Sequence, residues 1–90
     1  MQVRFSREFR KSYLKTDKKI RLNIDKRIKI FLKNPFDPQL NNHALTGKYS
    51  GRRSINITGD WRAIYTLDAE KGDRPIAIFE ALGTHSQLYQ

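Results

Sequence analysis

The stretch RRSINITGDWRAIYTL, residues 52–67, holds two runs of β-branched and aromatic residues with the dipeptide GD between them. Such runs are typical of strands, here over residues 52–58 and 61–67, and a Gly-Asp pair between two strands indicates a hairpin turn. A third run, PIAIFEAL at 75–82, follows the turn-rich segment DAEKGDR at 68–74. The second half of the chain therefore predicts a β-meander.

Upstream of the meander, the apolar residues recur at helical spacing. A short alternating segment, QVRF at 2–5, predicts a first strand, and Ser6 is a candidate N-cap for an amphipathic helix over residues 7–15. The apolar face of this helix is formed by Phe9, Tyr13 and Leu14.

A second helix is predicted over residues 18–33, with Asp17 as its candidate cap. Pro35 ends it, because a proline disfavours helical geometry in the preceding residue and has no amide proton to donate. One apolar stripe runs through this helix and indicates its core-facing side: Ile20, Ile24, Ile28 and Phe31. The two helices are predicted to form a hairpin.

The predicted order of elements is β-α-α-β-β-β, which indicates an α+β fold of two layers. In this arrangement a helical hairpin packs on one face of a mainly antiparallel, twisted sheet, and the other face is free to carry a functional site. Residues 34–51, rich in Pro, Asn and Gly, predict an ordered loop that leads into the sheet. Ninety residues are enough for one core, so a single domain over 1–90 is expected.

The charge balance is unusual: 18 Lys and Arg stand against 9 Asp and Glu, a net charge of +9. A field of this sign attracts polyanions, so nucleic acid, an anionic membrane surface or an acidic protein are natural partners.

The lack of cysteine excludes disulfides and thiolate metal sites. No apolar run approaches the roughly 18 residues of a membrane span, and the N-terminus lacks a signal-peptide pattern, so a cytoplasmic protein without a membrane partner is expected.

His43 and His85 are the candidate proton carriers, because histidine is the side chain that gains and loses protons near neutral pH. His43 falls in the predicted loop before the meander, and His85 follows the last predicted strand. In a domain of this size both could reach one face of the sheet. The alternative is that each is a surface or hydrogen-bonded structural histidine.

Asp60, Trp61 and Arg62 begin the second strand of the meander. A carboxylate can orient an imidazole or act as a base, a Trp can stack on a nucleobase, and an Arg can hold a phosphate through two hydrogen bonds. Together these three side chains suit RNA better than a small metabolite. In the structural alternative Asp60 is only a turn residue, Trp61 is core and Arg62 is a surface cation.

Lys48, Arg52 and Arg53, with Tyr49 among them, add a basic and aromatic cluster upstream. Cations interleaved with stacking side chains are typical of proteins that bind single-stranded nucleic acid. The chain has no phosphate-binding glycine loop, no nucleophile-elbow pattern and no spacing of a standard zinc site. No metal and no other cofactor is therefore expected.

Two segments, LNNHALTGKYSGRRSINITGDWRAIY at 40–65 and LGTHSQLY at 82–89, resemble the RelE/ParE superfamily of toxins, in particular its YafQ-like branch. The resemblance covers nearly the whole chain and implies a RelE-like fold. It also implies a metal-independent mRNA endonuclease that works in the ribosomal A site and is inhibited by a cognate antitoxin. By position the resemblance places six residues in the active site: His43, Asp60, Trp61, Arg62, His85 and Tyr89.

Two positions depart from the pattern of that family. Asn56 stands where the family has a strand histidine, and Ala81 stands where an arginine is expected. One proton carrier and one phosphate ligand are therefore missing. Arg52, Arg53 or Arg62 could supply the lost charge, and Asn56 joins Lys48, Arg52 and Arg53 as an expected RNA-binding residue.

In the mechanism that follows, His85 is the general acid, His43 or Asp60 the base, and Arg62 with Arg53 the phosphate ligands. Trp61 and Tyr89 would stack on the bases. Two alternatives remain at this point: a non-catalytic toxin that binds RNA or the ribosome, and a ParE-like inhibitor of DNA gyrase. The antitoxin is expected to be a small acidic or amphipathic protein that covers either the basic helices or the active face.

Overall fold

The computed structural model describes residues 1–68 and 74–89. Its elements are, in chain order, strand β1 (Gln2–Phe5), helices α1 (Arg7–Lys15) and α2 (Lys18–Lys33), strands β2 (His43–Ala44), β3 (Arg53–Asn56), β4 (Trp61–Asp68) and β5 (Ile76–Thr84), and helix α3 (His85–Leu88). Short 3₁₀ turns cover Pro38–Leu40 and Gly47–Tyr49. None of the helices in these residues is long and apolar enough to cross a membrane.

The sheet has five strands in the order β1-β5-β4-β3-β2. β1 pairs with β5 in parallel, and the other neighbours are antiparallel. Helices α1 and α2 occupy one face, so the predicted two-layer α+β fold with a mainly antiparallel sheet is confirmed.

The predicted helix ends are also confirmed by their caps. The hydroxyl of Ser6 accepts a hydrogen bond from the Phe9 amide at 3.0 Å, and the Asp17 carboxylate accepts one from the Ile20 amide at 2.9 Å. These side chains satisfy amides that the first turn of a helix leaves without a partner. α2 ends at Lys33, two residues before Pro35, as predicted.

The loop predicted over residues 34–51 is only partly a loop. It contains the short strand β2, in which His43 is the partner of Ser54 and Ala44 is the partner of Arg53. A two-residue strand leaves no alternating pattern in the sequence, so only the pairing reveals it. The predicted turn at 68–74 lies mostly outside the described residues, since only Asp68 and Arg74 are described.

The core lies between the sheet and the two long helices, and Phe79 of β5 is at its centre. The Phe79 ring lies 5.2 Å from the rings of both Phe31 and Tyr65 and 5.8 Å from that of Phe9, measured between centroids. Phe31 and Phe79 are fully buried. The stripe predicted on α2 is therefore core, as expected.

Leu14 is the exception to the predicted apolar face of α1. Phe9, on the same predicted face, is 2% exposed, whereas Leu14 is 70% exposed. The described residues form no third layer above the helices, so nothing in this part of the chain covers the end of that face.

Candidate active site

The pairing of the strands places the candidate residues on defined faces of the sheet, because directly paired residues share a face and successive residues alternate. Ala63 and Tyr65 are in the core and so face α1 and α2. Arg62 lies between Trp61 and Ala63 and therefore faces the other way. We call this opposite side of the sheet the site face.

Two rows of paired residues cross the site face. One joins His43, Ser54, Ile64 and Ala81 across four strands. The next joins Asn56, Arg62 and Gly83. The two departures from the family pattern, Asn56 and Ala81, therefore lie on the same face as His43 and Arg62.

A depression of about 370 Å³, here called the site pocket, opens on this face. Four of the predicted site residues line it: His43, Arg62, His85 and Tyr89. The remainder of its lining comes from the segment around β2: Asn41, Ala44, Leu45 and Thr46. Residues more than forty positions apart in sequence are thus brought to one concave surface.

The imidazole of His43 has a defined hydrogen bond. Its Nδ1 lies 2.8 Å from the carbonyl oxygen of Asn41. A carbonyl can only accept, so in the neutral ring Nδ1 carries the proton and Nε2 has the free lone pair. Asn41 has a left-handed backbone, with φ of 47°, which asparagine tolerates better than most residues. The ring is therefore held as the tautomer that can take up a proton at Nε2.

The guanidinium of Arg62 is anchored at the β3–β4 hairpin. Its Nη1 donates to the carbonyl of Thr58 at 2.9 Å and to that of Trp61 at 3.1 Å. Within residues 1–68 and 74–89, its Nε and Nη2 donate to no protein acceptor. The group is oriented by one nitrogen and retains donors that can reach a phosphate.

His85 is the first residue of α3 and is exposed at the pocket. Its backbone amide donates to the carbonyl of Asp60 at 3.0 Å, which ties α3 to the β3–β4 hairpin. Thr84 and Gln87 form a reciprocal capping box at the helix start. A Cβ on Gly83 would lie 3.0 Å from the Gln87 side-chain oxygen, so a glycine allows α3 to approach the sheet this closely.

Tyr89 lies between two other aromatic rings. Its ring centroid is 4.7 Å from that of His85 and 5.7 Å from that of Tyr49. Lys48 places its ammonium 5.1 Å from the centre of the Tyr49 ring. Aromatic and cationic groups therefore continue from the pocket along one side, although Lys48 itself is outside the pocket lining.

Asp60 and Trp61 lie close to the pocket without lining it. Asp60 is exposed at the tip of the hairpin, and its main-chain carbonyl rather than its carboxylate contacts His85. Trp61 is half-buried and packs against the core on the helical side of the sheet. The structure does not bring these two side chains together with His43.

Arg52, just before β3, and Arg53, its first residue, have partners of their own. Arg52 forms an ion pair with Glu80 at 2.6 Å, and the hydrogen bond and the charge of that carboxylate raise the pKa of Arg52. Arg53 is paired with Tyr65 and so faces the helical side, where its Nε donates to the Asn42 side chain at 2.8 Å. Arg53, expected at the phosphate, is therefore placed away from the site pocket.

Sequence reasoning missed the role of Asn41 and Asn42. The Asn42 amide nitrogen donates to the carbonyl of Pro35 at 2.9 Å and to the hydroxyl of Tyr65 at 2.6 Å, while its oxygen accepts from Arg53. These bonds fix the segment before His43 to the core. The sequence feature that could have indicated this role is the Asn-Asn pair in a turn-rich segment. Asparagine side chains form hydrogen bonds to nearby backbone groups, and the residue tolerates left-handed backbone geometry.

Two buried polar atoms on the site face, Ser54 Oγ and Asn56 Oδ1, have no hydrogen-bond partner among the described residues. In the same part of the chain, no group of three or more His, Cys, Asp or Glu side chains is arranged to hold a metal ion.

Comparison with known proteins matches this chain to one family model and to several solved structures. The family model described as "Bacterial toxin of type II toxin-antitoxin system, YafQ" matches residues 1–90. A search of curated proteins finds no match.

Three solved structures illustrate the likeness in fold. YafQ from E. coli BL21(DE3) is 22% identical with a TM-score of 0.78, and the match covers 99% of this chain and 98% of that one. A YoeB/ParE toxin from Agrobacterium tumefaciens is 20% identical with a TM-score of 0.75, covering 94% and 99%. The E. coli DinJ–YafQ complex matches at 23% identity with a TM-score of 0.65, covering 99% and 98%.

Proposed function

Because this chain belongs to the YafQ family, the bacterial toxins of type II toxin–antitoxin systems, we propose that it is an endoribonuclease that cleaves mRNA in the ribosomal A site and so inhibits translation. The observation that carries the proposal is the site pocket, which joins His43, Arg62 and His85 from three separate elements. We propose that the protein acts in the cytoplasm, because its proposed substrate is mRNA on the ribosome.

RNA can be cleaved without a metal when its own 2′-hydroxyl attacks the adjacent phosphorus. A base must take the proton of that hydroxyl, a cation must stabilise the phosphorane, and an acid must protonate the departing 5′-oxygen. The P–O5′ bond breaks as the P–O2′ bond forms, which leaves a cyclic phosphate and a free 5′-hydroxyl. The pocket contains two imidazoles and one guanidinium, the three groups that this reaction requires.

We assign His43 as the base. Its bond to the Asn41 carbonyl leaves Nε2 free to accept the proton of the 2′-hydroxyl. Asp60, the other candidate, is exposed at the hairpin tip and does not line the pocket. The geometry therefore favours His43 over Asp60.

Arg62 is the proposed phosphate ligand and His85 the proposed acid. The hairpin carbonyls orient Arg62 before substrate binds, which lowers the cost of reorganisation when negative charge develops. His85 is exposed beside it on α3 and is positioned by Asp60 through the main chain. Tyr89 is the proposed stacking surface for a base, while Trp61 supports the start of β4 through its core packing.

Basic side chains around the pocket are proposed to bind the RNA backbone and the ribosome: Lys48, Arg52 and Arg62. A cognate antitoxin is the proposed inhibitor, in line with the E. coli DinJ–YafQ toxin–antitoxin complex, one chain of which has the fold described here.

The proposal is tested by primer extension on a defined mRNA in a purified translation system. Wild type should produce cuts at codon boundaries only when ribosomes are present. His85→Ala should lower the cleavage rate by about 10²–10⁴-fold, the usual contribution of a general acid. Ser86→Ala, an exposed neighbour on the same short helix, should cleave like wild type.

Equal cleavage by wild type and His85→Ala would remove His85 from the mechanism. Thermal denaturation of both variants shows whether a loss of activity reflects chemistry or unfolding. Cleavage of free mRNA at the same rate as ribosome-bound mRNA would contradict ribosome dependence.

A second candidate function is a non-catalytic toxin that binds RNA or the ribosome. It is favoured by Asn56 and Ala81, which replace a proton carrier and a cation on the site face itself. In that case His85→Ala would block translation as strongly as wild type, with no cuts detected. No effect on translation at all would make DNA gyrase the next target to test.

A further inference from the structure

Arg53, expected at the phosphate, lies instead beside an exposed aromatic ring on the helical side of the sheet. The carbon of its guanidinium lies 5.4 Å from the centre of the Phe36 ring. Phe36 belongs to the segment between α2 and β2, and it is 61% exposed. We call Phe36 and Arg53 the aromatic platform. Neither residue lines the site pocket.

The guanidinium of Arg53 is oriented by one of its nitrogens. Its Nε donates to the side-chain oxygen of Asn42 at 2.8 Å, and Asn42 is itself bonded to Pro35 and Tyr65. In the part of the chain that the structure describes, the two Nη groups of Arg53 donate to no protein acceptor. The platform therefore presents free N–H donors beside the ring, in the forked geometry that suits a phosphate.

The segment that carries Phe36 is fixed by hydrogen bonds of its own. The Asn34 side-chain oxygen accepts from the Phe36 amide at 3.0 Å, and the Asp37 carboxylate accepts from the Gln39 amide at 2.9 Å. Arg27 of α2 donates to the Gln39 carbonyl at 2.6 Å. The exposed ring is thus held on an ordered support, so little conformational freedom is lost when a ligand packs on it.

The charge of this part of the chain is positive. Between positions 26 and 59 Asp37 is the only acidic residue, and its carboxylate caps the 3₁₀ turn that follows it. Seven basic residues lie in the same range: Lys26, Arg27, Lys29, Lys33, Lys48, Arg52 and Arg53. A ligand that fits the platform therefore offers a flat face to the ring and negative charge to the guanidinium.

We propose that the aromatic platform binds one unpaired nucleotide of the mRNA strand that is cleaved in the site pocket. Arg53 covers one face of the Phe36 ring, so the base would stack on the other face, and a phosphate next to that base would accept hydrogen bonds from Arg53. Every base has a face that can stack, so the platform would add affinity without selecting a sequence. This inference rests on the function proposed above, since it takes mRNA as the ligand.

The position of the platform favours the substrate strand over another RNA. Asn42, which holds Arg53, is followed directly by His43, which lines the site pocket. His43 begins β2, the last strand on its side of the sheet, and no described strand lies beyond it. An RNA strand that leaves the pocket can therefore pass around this open edge and reach Phe36 on the helical side.

A folded protein fits the platform less well than a nucleotide. The centre of a protein interface is a contiguous apolar patch. The exposed residues that follow Phe36 are Pro38 and Gln39, and the next large apolar residue, Leu40, is buried. One exposed ring beside one oriented cation matches a single base with its phosphate.

The test uses fluorescence anisotropy of the full chain with a labelled single-stranded 2′-O-methyl oligoribonucleotide, which lacks the 2′-hydroxyl and so is not cleaved. Phe36→Ala should weaken its binding about tenfold, within the usual contribution of one stacked base. Phe36→Tyr, which keeps an aromatic ring, should bind like wild type. An abasic oligonucleotide of the same length and charge should bind wild type and Phe36→Ala equally.

Matched variants separate stacking from general attraction to a basic protein. Leu22→Ala removes another exposed apolar side chain of the helical layer and should bind the oligoribonucleotide like wild type. Arg53→Gln should weaken binding of both oligonucleotides, because both carry phosphates. Thermal denaturation shows that each variant is folded. Unchanged binding of the oligoribonucleotide by Phe36→Ala, or an equal loss for the abasic probe, would overturn the proposal.

Ribosomes with and without bound mRNA identify the RNA that the platform contacts. Phe36→Ala should bind ribosomes that carry mRNA less tightly than wild type does, and the two proteins should bind empty ribosomes equally. Equal losses on both kinds of ribosome would assign the platform to ribosomal RNA and overturn its assignment to the substrate strand.

Failure of this inference is distinguishable from failure of the proposed function. If Phe36→Ala binds RNA like wild type while ribosome-dependent cleavage is intact, the platform is wrong and the nuclease stands. If RNA binding depends on Phe36 as expected and wild type produces no cuts, the platform stands as an RNA contact and the nuclease is wrong.

Discussion

The site pocket and a second concavity, a groove of about 540 Å³ between α1 and α2, lie on opposite faces of one sheet and differ in almost every property. The site pocket is lined by imidazole, guanidinium and amide groups, and its donors are oriented by main-chain carbonyls. The groove, here called the helix groove, is lined by phenyl and aliphatic side chains, with charge only at its rim. Oriented polar groups can take part in chemistry on a charged substrate, and apolar side chains cannot.

The difference follows from what supports each concavity. The pocket depends on hydrogen bonds between separate segments, such as the amide of His85 with the carbonyl of Asp60. The groove depends on the packing of two helices against a common aromatic core. Substitutions can therefore disturb one and leave the other intact.

The largest expected effect is a loss of stability of the whole fold, which would disturb the site pocket and the helix groove together. Phe31 is fully buried, 5.0 Å from the Tyr65 ring and 5.2 Å from the Phe79 ring. Phe31→Ala should lower the free energy of unfolding by about 3–5 kcal/mol, because it removes buried contacts and leaves a cavity. Urea denaturation measures the change. Leu32→Ala, at a site 47% exposed, should lose far less, and equal losses would contradict the assignment of the core.

The next effect concerns the site pocket alone. Arg62→Gln should slow ribosome-dependent cleavage by about 10²–10³-fold, as expected when an oriented group that stabilises developing charge is lost. Arg4→Gln, an exposed arginine of β1, is the control of equal charge. Equal slowing by both variants would indicate general electrostatics rather than a specific phosphate contact.

A smaller effect is expected at the segment that carries His43. Asn42→Ala removes bonds to Pro35, Tyr65 and Arg53 and leaves the buried Tyr65 hydroxyl without this partner. The free energy of unfolding should fall by about 1–3 kcal/mol, the cost of an unsatisfied buried group. Urea denaturation and the cleavage rate should both report the change. Restored stability in the double variant Asn42→Ala, Tyr65→Phe would identify the hydroxyl as the cause.

The smallest effect is at the helix groove. Tyr13→Phe removes the bond to Asp25 and should lower the free energy of unfolding by about 0.5 kcal/mol at pH 7, since the pair is exposed. The hydrogen bond to Asp25, with some burial, raises the pKa of Tyr13 above 10.0. The hydroxyl is therefore held protonated in the folded state, and its contribution is present below pH 10 and lost as the pH rises through the folded pKa.

Unfolding measurements on wild type and Tyr13→Phe between pH 7 and pH 11 test that dependence. The difference in stability should decline above pH 10. A difference that stays constant through pH 11 would contradict the raised pKa.

Much of the fold could be read from local patterns. The caps Ser6 and Asp17 and the stripe that ends at Phe31 are short-range signals, and each predicted its helix correctly. The three strands of the meander were also correct within two residues at each end. The resemblance to the YafQ-like toxins was confirmed by the family match over the whole chain.

The candidate site could be predicted only in part. His43, Arg62, His85 and Tyr89 were expected together, and the structure places all four in one pocket. Arg53 was expected with them, yet it faces the helical side. Its orientation depends on the strand register, because a shift by one residue moves a side chain to the opposite face.

The sequence by itself determined the helices, the meander, the strong positive charge and the types of side chain available for chemistry, since these depend on composition and on contacts within a few residues. Only the tertiary structure decided which side chains meet. The pairing of β2 with β3 put His43 on the face of Arg62, the bond from His85 to Asp60 brought α3 beside them, and the packing of α1 on α2 left Leu14 uncovered. These outcomes depend on contacts between residues distant in sequence, which no local pattern encodes.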